Sequence, residues 1–183
     1  MDNGAGSYRR FLAGDDEGLA EIVREYKDGL ILYLNGYVRN LYIAEELAED
    51  TFFRLITKRP RFSQKSSFKS WLYAIGRNVA VDFVRRNSKQ ISVSAEGMEA
   101  LGKELSLEEA YIREESKAEV YKALSKLSVD YRNVLWLSFF EGFSNREVAK
   151  VMKKSDRQVK NLLYRAKQSL RSILEKEGFH YEK

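Results

Sequence analysis

Apolar side chains recur at three- and four-residue steps along most of this chain, and one proline, Pro60, is the only one in 183 residues. Such spacing puts apolar groups on one face of an α-helix, and proline is the residue that most strongly breaks one. The chain is therefore read as all-α. Leu19, Ile22, Val23, Tyr26, Leu30, Leu34 and Tyr37 form a first stripe after Asp15 and Asp16, both suited to an N-cap. A second helix is expected from about Ile43 to Ile56, with Leu47, Ala48, Thr51, Phe52 and Leu55 inward. Residues 57–67 (TKRPRFSQKSS) are polar and basic and contain Pro60, so they read as a loop. Phe68, Trp71, Leu72, Ile75, Val79 and Phe83 then make a third stripe, which ends in Arg85, Arg86 and Lys89.

Composition shifts near residue 91. Residues 91–119 hold eight acids against three bases, and ISVSAEGMEALGKE has weak periodicity and two glycines, as a linker would. Ser106-Leu107-Glu108-Glu109 has the form of a capping box and predicts a helix start there, running toward Leu127. An apolar helix through Tyr131, Val134, Leu135 and Phe139 opens after Ser128, and Gly142 is placed to end it. Two more capping boxes follow, Ser144 with Glu147 and Ser155 with Gln158. They predict a short helix over about 145–152 and a longer one over about 156–175, with Val159, Leu163, Ala166, Leu170 and Ile173 inward. Two helices joined by so short a turn form a helix-turn-helix.

The residue inventory excludes much chemistry. There is no cysteine, and the single histidine, His180, lies in the last four residues, so disulfides, thiolate metal sites and histidine-centred triads find no residues to build on. Residues 1–10 lack the apolar core of a secretory signal, and the densest apolar run, 134–140, is far short of the roughly 20 residues that span a bilayer. A cytoplasmic protein without membrane insertion is expected.

A net charge of +5 favours a polyanionic partner, and position sharpens that. Residues 143–171 carry nine bases against two acids, a concentration that counterion release rewards on DNA. In a helix-turn-helix the start of the second helix enters the major groove. The outward residues there are Arg157, Gln158, Lys160, Asn161, Tyr164 and Arg165, whose types suit guanine, adenine and phosphate. A plain solvated hairpin is the competing reading. Phe68, Trp71 and Tyr73 interleaved with Lys69 and Arg77 resemble a surface for melted DNA, although aromatics at helical spacing also suit a core. Glu45, Glu46, Glu49 and Asp50 form an acidic cluster open to three readings: a solvated face, a metal or acid–base site, or a docking face for a basic protein.

In order and spacing these segments resemble the extracytoplasmic-function sigma factors, over about residues 11–177. AEELAEDTFFRL (44–55) looks like the family's acidic region 2.2. FKSWLYAIGRNVAVDFVRR (68–86) is similar to regions 2.3 and 2.4, with Trp-Leu-x-x-Ile-x-Arg-Asn as the most specific match. LSKLSVDYRNVLWLSFFEGFSNREVAKVM (124–152) and SDRQVKNLLYRAKQSLR (155–171) look like region 4. The resemblance implies a region 2 domain over 1–90, an acidic linker over 91–117 and a region 4 helix-turn-helix domain over 118–183. By position it implies docking on core RNA polymerase through Glu46, Glu49 and Asp50. Phe68, Lys69, Trp71, Arg77, Asn78, Arg85 and Arg86 would act at the −10 element of promoter DNA, where a base is flipped out and captured with the help of the loop before Phe68. Arg157, Gln158, Lys160, Asn161, Tyr164 and Arg165 would act at −35. It implies no enzymatic activity and no cofactor, and an anti-sigma factor as a possible partner. Ser128, Lys153 and Gln158 stand where the family usually has proline, glycine and threonine, so the helix-turn-helix turn is expected to be built differently at Lys153. A free-standing helix-turn-helix regulator is the alternative function, and a metal-dependent nuclease using the acidic cluster ranks third.

Overall fold

The structure, a computed structural model, describes residues 3–91 and 115–177. Among these residues all regular structure is helical: α1 (Asn3–Leu12), α2 (Asp16–Val38), α3 (Leu41–Lys58), α4 (Phe68–Ile91), α5 (Glu115–Ser125), α6 (Val129–Leu135), α7 (Asn145–Met152) and α8 (Asp156–Lys176). A π-helical turn, Trp136–Phe140, continues α6. The linker core and the capping box expected at Ser106 lie outside the described residues.

Local chemistry explains the boundaries. The Asp15 carboxylate accepts from the Glu17 amide to start α2, and the Asn40 side chain accepts from the Ile43 amide to start α3. Arg39 and Arg59 end those helices in left-handed conformation, with φ 51° and 40°. Four helices form the first layer set. Ile22, Tyr26, Leu30 and Leu34 of α2 bury against Leu47, Ala48, Phe52 and Leu55 of α3 and Leu72, Val79 and Ala80 of α4.

The sequence gives no sign of α1, whose NGAGS start has weak helix formers. Tertiary packing holds it: Tyr8 and Phe11 are buried, and the Tyr8 hydroxyl donates to the Pro60 carbonyl at 2.7 Å. Burial pushes the pKa of that hydroxyl up to about 12, with Arg59 opposing, so it stays a donor at neutral pH. Gly18 is what lets α1 and α2 approach, since a Cβ there would meet the Ser7 carbonyl and stand 2.9 Å from the Phe11 nitrogen.

α5 to α8 form the second unit, packed through Leu124, Val134, Leu137, Val148, Val151, Val159 and Ala166. Both capping boxes form as expected, with reciprocal bonds between Ser144 and Glu147 and between Ser155 and Gln158. Ser128 holds the N-cap position of α6 without a side-chain cap bond. Two expectations are corrected. Lys153 does adopt the left-handed conformation (φ 54°), so the helix-turn-helix turn is built in the glycine-like way without a glycine. Phe139, expected inward one turn after Leu135, is 58% exposed, because the π-helical turn adds a residue to the repeat and rotates it off the core face.

The two units share one hydrophobic cluster, with α4 against α7 and α2 against α6. Arg132 of α6 is buried and donates to the carbonyls of Leu124, Ser125 and Leu127 at the end of α5, and to Gly36 of α2 at 3.0 Å. One guanidinium therefore satisfies the α5 C-terminus and ties the second unit to the first.

Candidate nucleic-acid interface

α8 begins at a tight turn whose geometry is set by Lys153 and by the Ser155–Gln158 box. Its inner positions Val159 and Ala166 are buried, which directs Arg157, Gln158, Lys160, Asn161, Tyr164 and Arg165 to solvent. The six residues form the exposed face of the first three turns, as a groove-reading helix requires. The Gln158 carbonyl oxygen accepts from the Ser155 amide at 2.8 Å, so only its amino group is left to face a base. The Tyr164 hydroxyl accepts from Gln168 at 2.8 Å. Asp156, the acid of the first turn, favours the helix dipole, while the bases beyond it supply the positive face.

On α4 the expected residues divide. Phe68 has no exposed surface: it sits among Tyr8, Tyr26, Phe62 and Trp71 with ring centroids 5.4–5.8 Å away, so it is a wall of the core and not a stacking platform. Trp71 is partly exposed and packs on Phe62 and Tyr8. Arg77 and Asn78 are partly exposed one to two turns on, and Arg85 and Arg86 are exposed, with Arg85 also paired to Asp82 at 3.3 Å. Lys69 is turned toward the second unit, where its ammonium lies 2.7 Å from a Glu141 carboxylate oxygen and 3.2 Å from the Glu141 carbonyl.

On α3, Glu46, Glu49 and Asp50 are all exposed. Tyr42, Phe53 and Ile56 are exposed beside them, at 64%, 60% and 42%. The inward stripe of α3 does not reveal this apolar partner to the acidic face; exposed aromatics with acids at helical spacing are its signal in the sequence. Among the described residues no three His, Cys, Asp or Glu side chains converge to hold a metal ion. No described helix is long and apolar enough to cross a membrane. An apolar groove of about 640 Å³ on the second unit, also unforeseen, is lined by Leu124, Phe139, Phe140 and Leu170 with Lys167 and Arg171.

Residues 22–90, which span the α3 face and the α4 surface, match Sigma-70 region 2, and residues 117–170, ending within α8, match Sigma-70, region 4. The chain belongs to the extracytoplasmic-function sigma factors. This sigma factor is 28% identical over 155 residues to the ECF RNA polymerase sigma factor SigX of Bacillus subtilis (strain 168), covering 82% of this chain and 80% of that one. It is 26% identical over 153 residues to SigM of the same organism, covering 84% and 93%. In fold it is similar to RpoE of Bartonella quintana, solved with the anti-sigma factor NepR (TM-score 0.67, 20% identity, 85% of this chain and 96% of that one). It is likewise similar to CnrH, solved with the cytosolic domain of CnrY (TM-score 0.64, 21% identity, 94% and 95%). This sigma factor thus acts in transcription initiation, with core RNA polymerase and promoter DNA as its partners.

Proposed function

We propose that this sigma factor divides initiation among three surfaces, in a region 2 domain over 1–90, a linker over 91–117 and a region 4 domain over 118–183. Glu46, Glu49 and Asp50, with Tyr42, Phe53 and Ile56 beside them, dock on core polymerase: exposed carboxylates steer toward a basic surface and the aromatics are the larger contributors once buried. Trp71, Arg77, Asn78, Arg85 and Arg86 engage the melted −10 element, the arginines neutralising phosphate while Trp71 and Asn78 meet a displaced base. Phe68 supports Trp71 from the core. Arg157, Lys160, Asn161, Tyr164 and Arg165 read −35 or its phosphates, with Gln158 contributing its amino group.

The observation that carries this reading is the joint exposure of those α8 residues on a capped helix inside the region 4 match. The chain contributes no catalysis and no cofactor, works in the cytoplasm, and is a candidate partner for an anti-sigma factor, since two structures similar to it in fold were solved with one or with the cytosolic domain of a second protein.

The test is binding of the purified chain to core bacterial RNA polymerase, followed by transcription from a pool of promoter fragments. Core-dependent transcripts sharing two elements at fixed separation are expected. Tight duplex binding by the chain alone without core binding would replace this reading with a free-standing regulator.

A further inference from the structure

The loop between α3 and α4 is held against its own backbone preferences. Among the described residues four non-glycine residues are left-handed, and two of them, Arg59 (φ 40°) and Gln64 (φ 58°), fall in this loop. Arg59 also stands directly before Pro60, and a proline ring drives the preceding residue toward extended backbone. Such conformations persist only where surrounding contacts over-determine them, and they gather where a segment must be presented in one shape.

α1 supplies those contacts. The Tyr8 hydroxyl donates to the Pro60 carbonyl at 2.7 Å, across 52 positions of sequence. One turn on, the Phe11 ring lies 5.4 Å from the guanidinium carbon of Arg59. The Tyr8 ring stands 5.3 Å from Trp71, and Phe62 of the loop meets the same indole at 5.2 Å. A Cβ on Gly4 would run into the Phe68 ring, so glycine is what brings the start of α1 this close. One short helix therefore touches the loop backbone, its left-handed arginine and the partly exposed tryptophan. It does so from outside the residues that match region 2, which begin at 22.

The geometry matters because residues 59–67 hold no acid and present Arg61 and Lys65 to solvent beside Trp71. Extruding a base costs stacking and pairing energy, and a receptor that must first be ordered returns less of it. A loop already fixed against Trp71 avoids that loss.

We propose that α1 is a clasp for −10 recognition, with Tyr8 as a positioning residue that fixes the 59–67 loop against Trp71 and so sets how strongly the favoured −10 base is preferred. This rests on the −10 reading of Trp71 and of the loop before Phe68.

Tyr8→Phe removes one oxygen and keeps the ring contacts. Limited trypsin digestion of the intact chain reads the loop first. Cleavage after Arg61 and Lys65 should rise about fivefold, the worth of one lost hydrogen bond, while cleavage after the exposed Lys153 and Arg157 stays as in the parent. Phe11→Leu keeps an apolar side chain, takes away the ring beside Arg59, and should loosen the loop in the same way. Holoenzyme formed with core bacterial RNA polymerase is then assayed on a promoter recovered from the fragment pool, with its −10 and −35 elements randomised in turn. Preference for the favoured −10 base should fall about fivefold in Tyr8→Phe, with preference at −35 unchanged. Loss of folded protein would lower all transcripts together and leave both preferences intact, so this pattern belongs to positioning. Loop cleavage at the parent rate in both variants, a rise shared by all sites, or a −10 preference that survives a loosened loop overturns the clasp. A parent that initiates with no −10 preference sinks the −10 reading itself, and the clasp with it.

Discussion

At single residues the same side chain often serves the fold and the DNA face together. Gln158 caps α8 through its oxygen and has only its amino group to offer outward, whereas Arg157 is exposed and uncommitted to the cap. Arg157→Ala should therefore weaken −35-dependent initiation by about 1–3 kcal/mol, the range for a lost base contact. Transcript yield from promoters with intact and scrambled −35 elements checks this, and equal loss on both would reassign Arg157 to phosphate. Lys153 carries a left-handed conformation that favours glycine. Lys153→Gly should stabilise the chain by up to about 1 kcal/mol, read as a higher denaturation midpoint.

Among elements, α1 and the π-helical turn show how packing overrides local preference. α1 is a weak helix former that persists because it seals α2 and α4 through Tyr8 and Phe11. Gly18→Ala tests that seal. Alanine gains about 1 kcal/mol of helix propensity but sets a methyl against backbone atoms of Ser7 and Phe11, which cannot swing aside as a side chain would. Overpacking of this kind costs about 1–3 kcal/mol, so the net effect should be destabilising, and a urea midpoint equal to or above the parent's would contradict it. The π-helical turn lets Trp136 reach Glu141 while Phe139 and Phe140 are displaced outward, where Lys167 lies 4.9 Å from the Phe139 ring.

For the whole molecule the testable quantities are docking and stability. Glu49→Lys reverses one charge on an exposed face, so it should weaken core polymerase binding while leaving the thermal midpoint nearly unchanged. Stability should depend on acidity through Glu147. Burial opposes its charge, but hydrogen bonds from Ser67 and Ser144 and the nearby Lys150 outweigh that and hold its pKa below the ordinary value of 4.5. A carboxylate depressed in the folded state stabilises above its unfolded value and loses that contribution as pH falls through the depressed one. The Glu147 contribution to folding stability is thus expected to be constant near neutrality and to weaken below about pH 4.5, with a smaller change when Ser67→Ala removes one of the donors, read as the denaturation midpoint against pH.

How much of this was legible depended on the range of the interaction that decided it. Helical periodicity placed α2, α3, α4, α7 and α8 within a few residues, because an inward stripe and a capping serine act within one or two turns. The α8 face followed from the same periodicity, since burying Val159 and Ala166 leaves only one side for Arg157, Lys160, Asn161 and Arg165. Sequence motifs, too, carried the class of the protein. Only the tertiary structure decided that α1 is a helix, that Phe68 belongs to the core, that Phe139 leaves it, and that Lys69 faces Glu141 seventy-two positions away. Each of those depends on which distant side chains supply contact, room or opposite charge, and local residue preference holds no record of that.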